Sequence, residues 1–164
     1  FPDVSKKIRR LIAIPTTSGT GSEVSPFAAV TEGGVKHGLC SYRLLPDIAI
    51  VDARYTDMLP KALIAHSGFD SLVHAVESAI SVWASDFTTP LSLRAARLLF
   101  QHLGESYATG DEKAREKVHH AATIAGMACG NAFLGVNNAM AHALGTEFHL
   151  PHGLANAVVF DVVV

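Results

Sequence analysis

Apolar positions fall into two regimes along this chain. Before about residue 55 they come in short unbroken runs, RRLIAI at residues 9–14 and IAIVD at residues 48–52, rich in Ile and bounded by Pro15, Pro46 and Asp52. Such runs predict buried strands. Between them, TTSGTGSE from Thr16 to Glu23 has the composition of a loop. Beyond residue 55 apolar side chains recur at three- and four-residue spacing, which predicts helices over 60–82, 91–107, 111–131 and 137–148 and a fifth beginning after Pro151-His152-Gly153. Thr56 to Leu59 can cap the first helix with Pro60 in its first turn. Gly104 and Gly110 punctuate the end of the second, and Asp111 and Glu112 give the third an acidic start. The small residues of AATIAGMACGNA permit close packing of that third helix. The expected fold is mainly α: a unit of short strands and loop over residues 1–55, then a helical unit over 56–164. No repeat, low-complexity tract or flexible linker separates them.

A chain of 164 residues, 49% hydrophobic and 17% charged, can bury a sizeable core. A net charge of -2 gives no electrostatic reason to expect nucleic acid or an anionic membrane as partner, so a small molecule is the better expectation. The two cysteines, Cys40 and Cys129, lie far apart with no CxxC spacing and suit reduced thiols in a cytoplasmic protein. No apolar stretch reaches the ~20 residues of a membrane span, and the start has no signal-peptide layout. The chain starts without Met and stops inside the run VVFDVVV, so it is expected to be a piece of a longer protein.

Candidate chemistry sits in three places. Asp70 and His74 in GFDSLVHAVES stand four apart, so on a helix they share one face and could hold one transition metal together, Fe(II) or Zn(II). An exposed Asp-His pair would show the same spacing, but Phe69, Leu72, Val73 and Val76 around it point to a buried face. The second cluster, NNAMAHALGTEFHLPHG, holds Asn138, His142, His149 and His152; Asn138 and His142 are again i and i+4, and His152 follows a proline at a helix start. Three histidines this close also fit a solvated surface, and the presence of Asp70 and His74 tips the reading toward one site from two segments. Third, the TTSGTGSE loop after a strand lets backbone N–H groups and hydroxyls approach a phosphate, although it equally fits a turn without a ligand.

In this order, IPTTSGTGSEV, LLPDIAIVDARY, GFDSLVHAVES and AMAHALGTEFHLPHGLANAV resemble the iron-containing (group III) alcohol dehydrogenases over nearly the whole chain. FPDVSKKIRRLIAIPTTSGTGSEVSPFAAVTE and KVHHAATIAGMACGNAFLGV look most like the alcohol dehydrogenase half of bifunctional aldehyde-alcohol dehydrogenases. The resemblance implies an NAD-binding α/β domain followed by an all-helical metal-binding domain, with NAD or NADP and Fe(II) or Zn(II) as cofactors. The implied reaction is hydride transfer between a primary alcohol and its aldehyde, the implied substrate a small one, and the implied assembly a homo-oligomer. By position, Asp70, His74 and His152 match three of the family's four metal ligands, and His142 matches the histidine credited with proton relay or substrate positioning. Thr16, Thr17 and Thr20 match cofactor-contacting positions, as do Ser25 and Lys36.

The chain departs from the family where it matters most. The fourth ligand, a histidine in the pattern HxMAH, is Asn138 here, and an amide oxygen is a weaker ligand than imidazole for these metals. The family's GGGS turn, which holds the pyrophosphate, would lie upstream of Phe1, so this piece alone is expected to bind NAD poorly. Two other readings follow: a truncated or non-catalytic member without a competent metal site, and a dehydroquinate-synthase-like lyase, which would need basic residues converging on a phosphorylated substrate.

Overall fold

The computed structural model describes residues 9–33 and 35–164, with the side chains of Val35 and Lys36 outside that description. Five helices make up most of it: α1 Lys61–Ile80, α2 Thr88–Thr109, α3 Glu112–Ala132, α4 Val136–Phe148 and α5 His152–Val163. Four strands precede them: β1 Ile12–Ala13, β2 Phe27–Glu32, β3 Val35–Cys40 and β4 Ile48–Ala49. The mainly α expectation holds, and each expected helix forms within a few residues of its expected bounds.

The local chemistry explains the helix ends. Asp111 accepts a hydrogen bond from the Ala114 amide at 2.8 Å and so caps the start of α3. Gly110, at φ 71, lets its amide bond the Ser106 carbonyl and closes α2 in the left-handed conformation. Gly104 does not end that helix, as α2 continues to Thr109, and Pro60 stands at the N-cap of α1, one residue ahead of its first turn. The α1–α3 core joins Leu72, Leu98, Leu99, Val118 and Ala121, with Ala75, Ala95 and Ala125 forming a second, smaller-residue contact. Full burial of a side chain such as Leu99 contributes about 1.5–3 kcal/mol. Alanines at the second contact let the three helices approach closely, and α4 and α5 pack on each other and on α1.

The strand expectation needs correction. β1 and β4 pair in parallel over only two residues each, and Ile12, Ile14, Ile48 and Ile50 are 43–55% exposed. A parallel sheet is buried by helices on both faces and by neighbouring strands. Among the described residues no third strand joins this pair. The antiparallel hairpin β2–β3, with Gly33 at φ 58 in its turn, was absent from the sequence expectations. The signal was the Gly33-Gly34 dipeptide between two strand-length segments. Among the described residues no helix is long and apolar enough to cross a membrane.

Candidate metal and cofactor site

The Thr16–Glu23 loop is fastened to the helical body from beneath. Ser71 of α1 donates to the carbonyls of Ser18 at 3.0 Å and Gly19 at 2.8 Å, and Ser18 Oγ lies 3.0 Å from Nδ1 of His119 on α3. Thr123 donates to the buried carboxylate of Glu23 at 2.6 Å. Gly21, at φ 61, rides against α3 so closely that a Cβ on it would stand 2.5 Å from Gly126 Cα. This contact explains the small residues of α3. The other side of the loop, with Thr16, Thr17 and Thr20, is exposed.

His119 is 1% exposed, and burial holds its pKa below the ordinary histidine value. The folded state therefore keeps this imidazole neutral at pH values where the unfolded chain, near ~6.5, takes up a proton. Its contribution to stability is complete above that value and is lost as pH falls from there toward the folded pKa. The melting temperature of the wild type should fall more between pH 7 and pH 5 than that of His119→Gln. Parallel curves would remove His119 as a source of acid sensitivity.

The metal-ligand candidates converge between α1, α4 and α5. Asp70 and His74 point from one face of α1, buried at 4% and 6% exposure. His152 opens α5, brought against α1 by Gly153, where any Cβ would overlap the His66 carbonyl. Nε2 of His74 and Nε2 of His152 each lie 3.5 Å from Asp70 Oδ1. That is too long for a hydrogen bond and close to the ~3.4 Å edge of a tetrahedron with ~2.1 Å metal bonds. Among the described residues Asp70 has only these histidines as ion-pair partners and no Lys or Arg. A buried carboxylate without a cation is costly, and a divalent ion would remove that cost. Among the described residues no group of three or more His, Cys, Asp and Glu side chains is placed so as to hold a metal ion. The fourth corner is where the shortfall lies: the Asn138 amide nitrogen sits 3.2 Å from His74 Nε2. By their chemistry Asp70, His74 and His152 are strong ligand types for a metal and Asn138 a weak one, but as placed they do not form a metal-holding group.

Two residues that the sequence reading passed over position this cluster. Asn156, fully buried, donates to Asp70 Oδ1 at 2.7 Å and receives a hydrogen bond from Asn137 at 2.9 Å. Glu77, on α1 one turn beyond His74 and 3% exposed, accepts from the amides of Asn137 at 2.7 Å and Asn138 at 3.2 Å. A carboxylate at a helix N-terminus satisfies amides that lack intrahelical partners, so Glu77 caps α4 and fixes where Asn138 points. The sequence cue for Glu77 was its spacing, seven residues after Asp70 on the same α1 face. For Asn156 the cue was the i+4 step from His152.

These residues face a cavity of about 590 Å³ lined by Asp70, His74, Asn138, His142 and His152 on one side. Its other walls come from Thr20, Ser25, the β2–β3 hairpin, Cys129, Phe133 and Leu134, and among the described residues no Lys or Arg lines it. The cavity thus joins the four metal-position residues, His142, Thr20 and Ser25. Ser25 is buried against Gly130, 3% exposed. Thr16 and Thr17 are not among the lining residues, and the Lys36 side chain lies outside the described residues. The His142 and His152 rings stand 4.4 Å apart, centroid to centroid. Cys129 is a free thiol, its pKa pushed up to about 12 by burial, and is unreactive there.

The chain superposes on the solved iron-containing alcohol dehydrogenase of Thermococcus thioreducens with a TM-score of 0.86 and 42% identity, covering 93% of this chain and 41% of that one. This fold is that of an iron-containing alcohol dehydrogenase. The family model "Fe-containing alcohol dehydrogenase family, C-terminal" matches residues 64–164, and "Iron-containing alcohol dehydrogenase" matches residues 2–53. The chain belongs to the iron-containing alcohol dehydrogenase family. It is 53% identical to aldehyde-alcohol dehydrogenase 2 of Entamoeba histolytica, over all of this chain and 19% of that protein. To the bifunctional aldehyde-alcohol dehydrogenase AdhE of Escherichia coli K12 it is 52% identical, over 97% of this chain and 18% of that protein. The chain therefore spans under a fifth of the length of these bifunctional relatives.

Proposed function

We propose that the protein carrying this chain is a metal-dependent, NAD(P)-linked oxidoreductase that interconverts a small primary alcohol and its aldehyde. Asp70, His74 and His152 would hold Fe(II) or Zn(II), with Asn138 as the weak fourth ligand. The observation that carries this reading is the pair of histidine nitrogens 3.5 Å from one oxygen of a buried carboxylate that, among the described residues, has no Lys or Arg as ion-pair partner. When bound, the metal supplies Lewis acidity toward a substrate oxygen, and the nicotinamide supplies the hydride acceptor or donor. The apolar walls from β2, β3 and the α3–α4 junction exclude water and align the substrate carbon. Thr20 and Ser25 line the cavity from the loop side, Thr16 and Thr17 would contact the cofactor outside it, and Lys36 would be a further cofactor contact. An imidazole nitrogen of His142, partly exposed beside His152, would exchange the proton with solvent. The protein would work in the cytoplasm, as a homo-oligomer in its full-length form, with no nucleic-acid or membrane partner.

A second reading rests on the 3.2 Å contact of Asn138 with His74. An amide that hydrogen-bonds the histidine satisfies it without a metal, as in a non-catalytic member of the family. A lyase acting on a phosphorylated substrate is disfavoured because no Lys or Arg is among the described residues that line the cavity. The deciving experiment assays NADH and NADPH formation from ethanol and 1-butanol by the protein reconstituted with Fe(II) or Zn(II), alongside its metal content. The proposal expects about one metal ion per chain and turnover that requires it. Protein that holds no metal and turns over no alcohol belongs to the second reading.

A further inference from the structure

Phe133 has a backbone that its side chain does not favour. At the end of α3 it takes φ 62 and ψ -174, a region that glycine occupies freely and other residues rarely do. The chain on both sides is pinned: the Phe133 amide donates to the Cys129 carbonyl at 2.8 Å, and Ser81 Oγ donates to the Ala132 carbonyl at 2.5 Å. Beyond it, Glu77 holds the first amides of α4. The ring is 40% exposed, so core burial does not explain why a bulky residue is kept there. It lines the cavity that contains Asp70, His74 and His152, and it meets the Phe27 ring at 5.8 Å and the Trp83 ring at 6.5 Å. The neighbouring hairpin wall adds Ala28, Ala29, Gly38, Leu39 and Cys40, so the aromatic pair shares the bulk on that side with Leu39.

We infer that Phe133 sets the length of aliphatic chain the cavity accepts, acting as a specificity-determining residue with Phe27 behind it. The inference rests on the alcohol–aldehyde reading of this site, but it concerns chain length and can be tested without turnover. Linear primary carboxamides are unreactive mimics of an aldehyde, and their binding to the protein can be followed by calorimetry as the chain grows. In the wild type, affinity should rise about fourfold per added CH₂ until the aromatic wall is reached, then fall. In both Phe133→Ala and Phe133→Gly that limit should move out by about two carbons, since either change removes the ring. Phe133→Gly should in addition melt above Phe133→Ala, because only glycine relaxes the backbone.

An unmoved limit in both variants, or a shift in the glycine variant alone, overturns the inference, the latter assigning the effect to the backbone. Failure of the wild type to bind any carboxamide overturns it as well, because the cavity then takes no aliphatic chain. Carboxamide binding with the expected limit, in a protein that oxidises no alcohol, supports the chain-length role and sinks the oxidoreductase reading by itself.

Discussion

Asp70→Asn should weaken Zn(II) or Co(II) binding by more than about 100-fold, beyond the 10- to 100-fold typical when only an outer partner of a ligand is lost. The substitution keeps the volume of the side chain and removes the one charge that both histidine nitrogens face. It also preserves an oxygen to accept from Asn156, so the buried asparagine network need not collapse with the metal site. Asn138→His should act in the opposite direction and tighten binding by about tenfold or more, because imidazole is the better ligand for a borderline metal. Titration of the protein with Co(II), read by its visible absorption, measures both changes and reports coordination geometry directly. Equal affinity in wild type and Asp70→Asn would mean that the metal, if bound, sits elsewhere.

The second large effect belongs to a residue with no side chain. A Cβ on Gly153 would overlap the backbone carbonyl of His66, and backbone cannot rotate away as a flexible side chain can. Gly153→Ala should therefore push α5 off α1 and cost about 3 kcal/mol, the upper part of the range for overpacking. As His152 immediately precedes this glycine, the same displacement should draw its imidazole from Asp70 and weaken metal binding together with stability. Thermal melts and the Co(II) titration of Gly153→Ala should both change. A variant with wild-type melting would show that the helices can separate at no cost, against the close approach described above.

The helices were legible in the sequence because their apolar positions have a period that survives without tertiary context. The candidate pairs that the fold brings to one cavity were legible for a related reason: Asp70 and His74, and Asn138 and His142, use the i, i+4 step, which places side chains on one helix face. Glu77 and Asn156 were not, because their roles exist only across helices. Glu77 works by accepting from amides of α4, and Asn156 by reaching a carboxylate on α1. The exposure of β1 and β4 could not be read either, since an Ile-rich run has the same pattern whether or not neighbouring strands cover it. Phe133 escaped for another reason: its φ goes with the pinning of Ala132 by Ser81 from the end of α1, and a phenylalanine in sequence gives no sign of it.

The fastening of the Ser18–Glu23 loop has a mechanical side. Ser71, the residue after Asp70, holds the Ser18 and Gly19 carbonyls, and α3 holds Ser18 and Glu23. The loop consequently moves as a part of the helical body, even though it leaves from the strand β1. Any rotation of the β1–β4 pair against the helices must then bend the backbone at the crossings on either side, near residues 14–17 and 50–53. The loop's hydroxyls and the carboxylate of Asp70 would keep their spacing throughout such a motion.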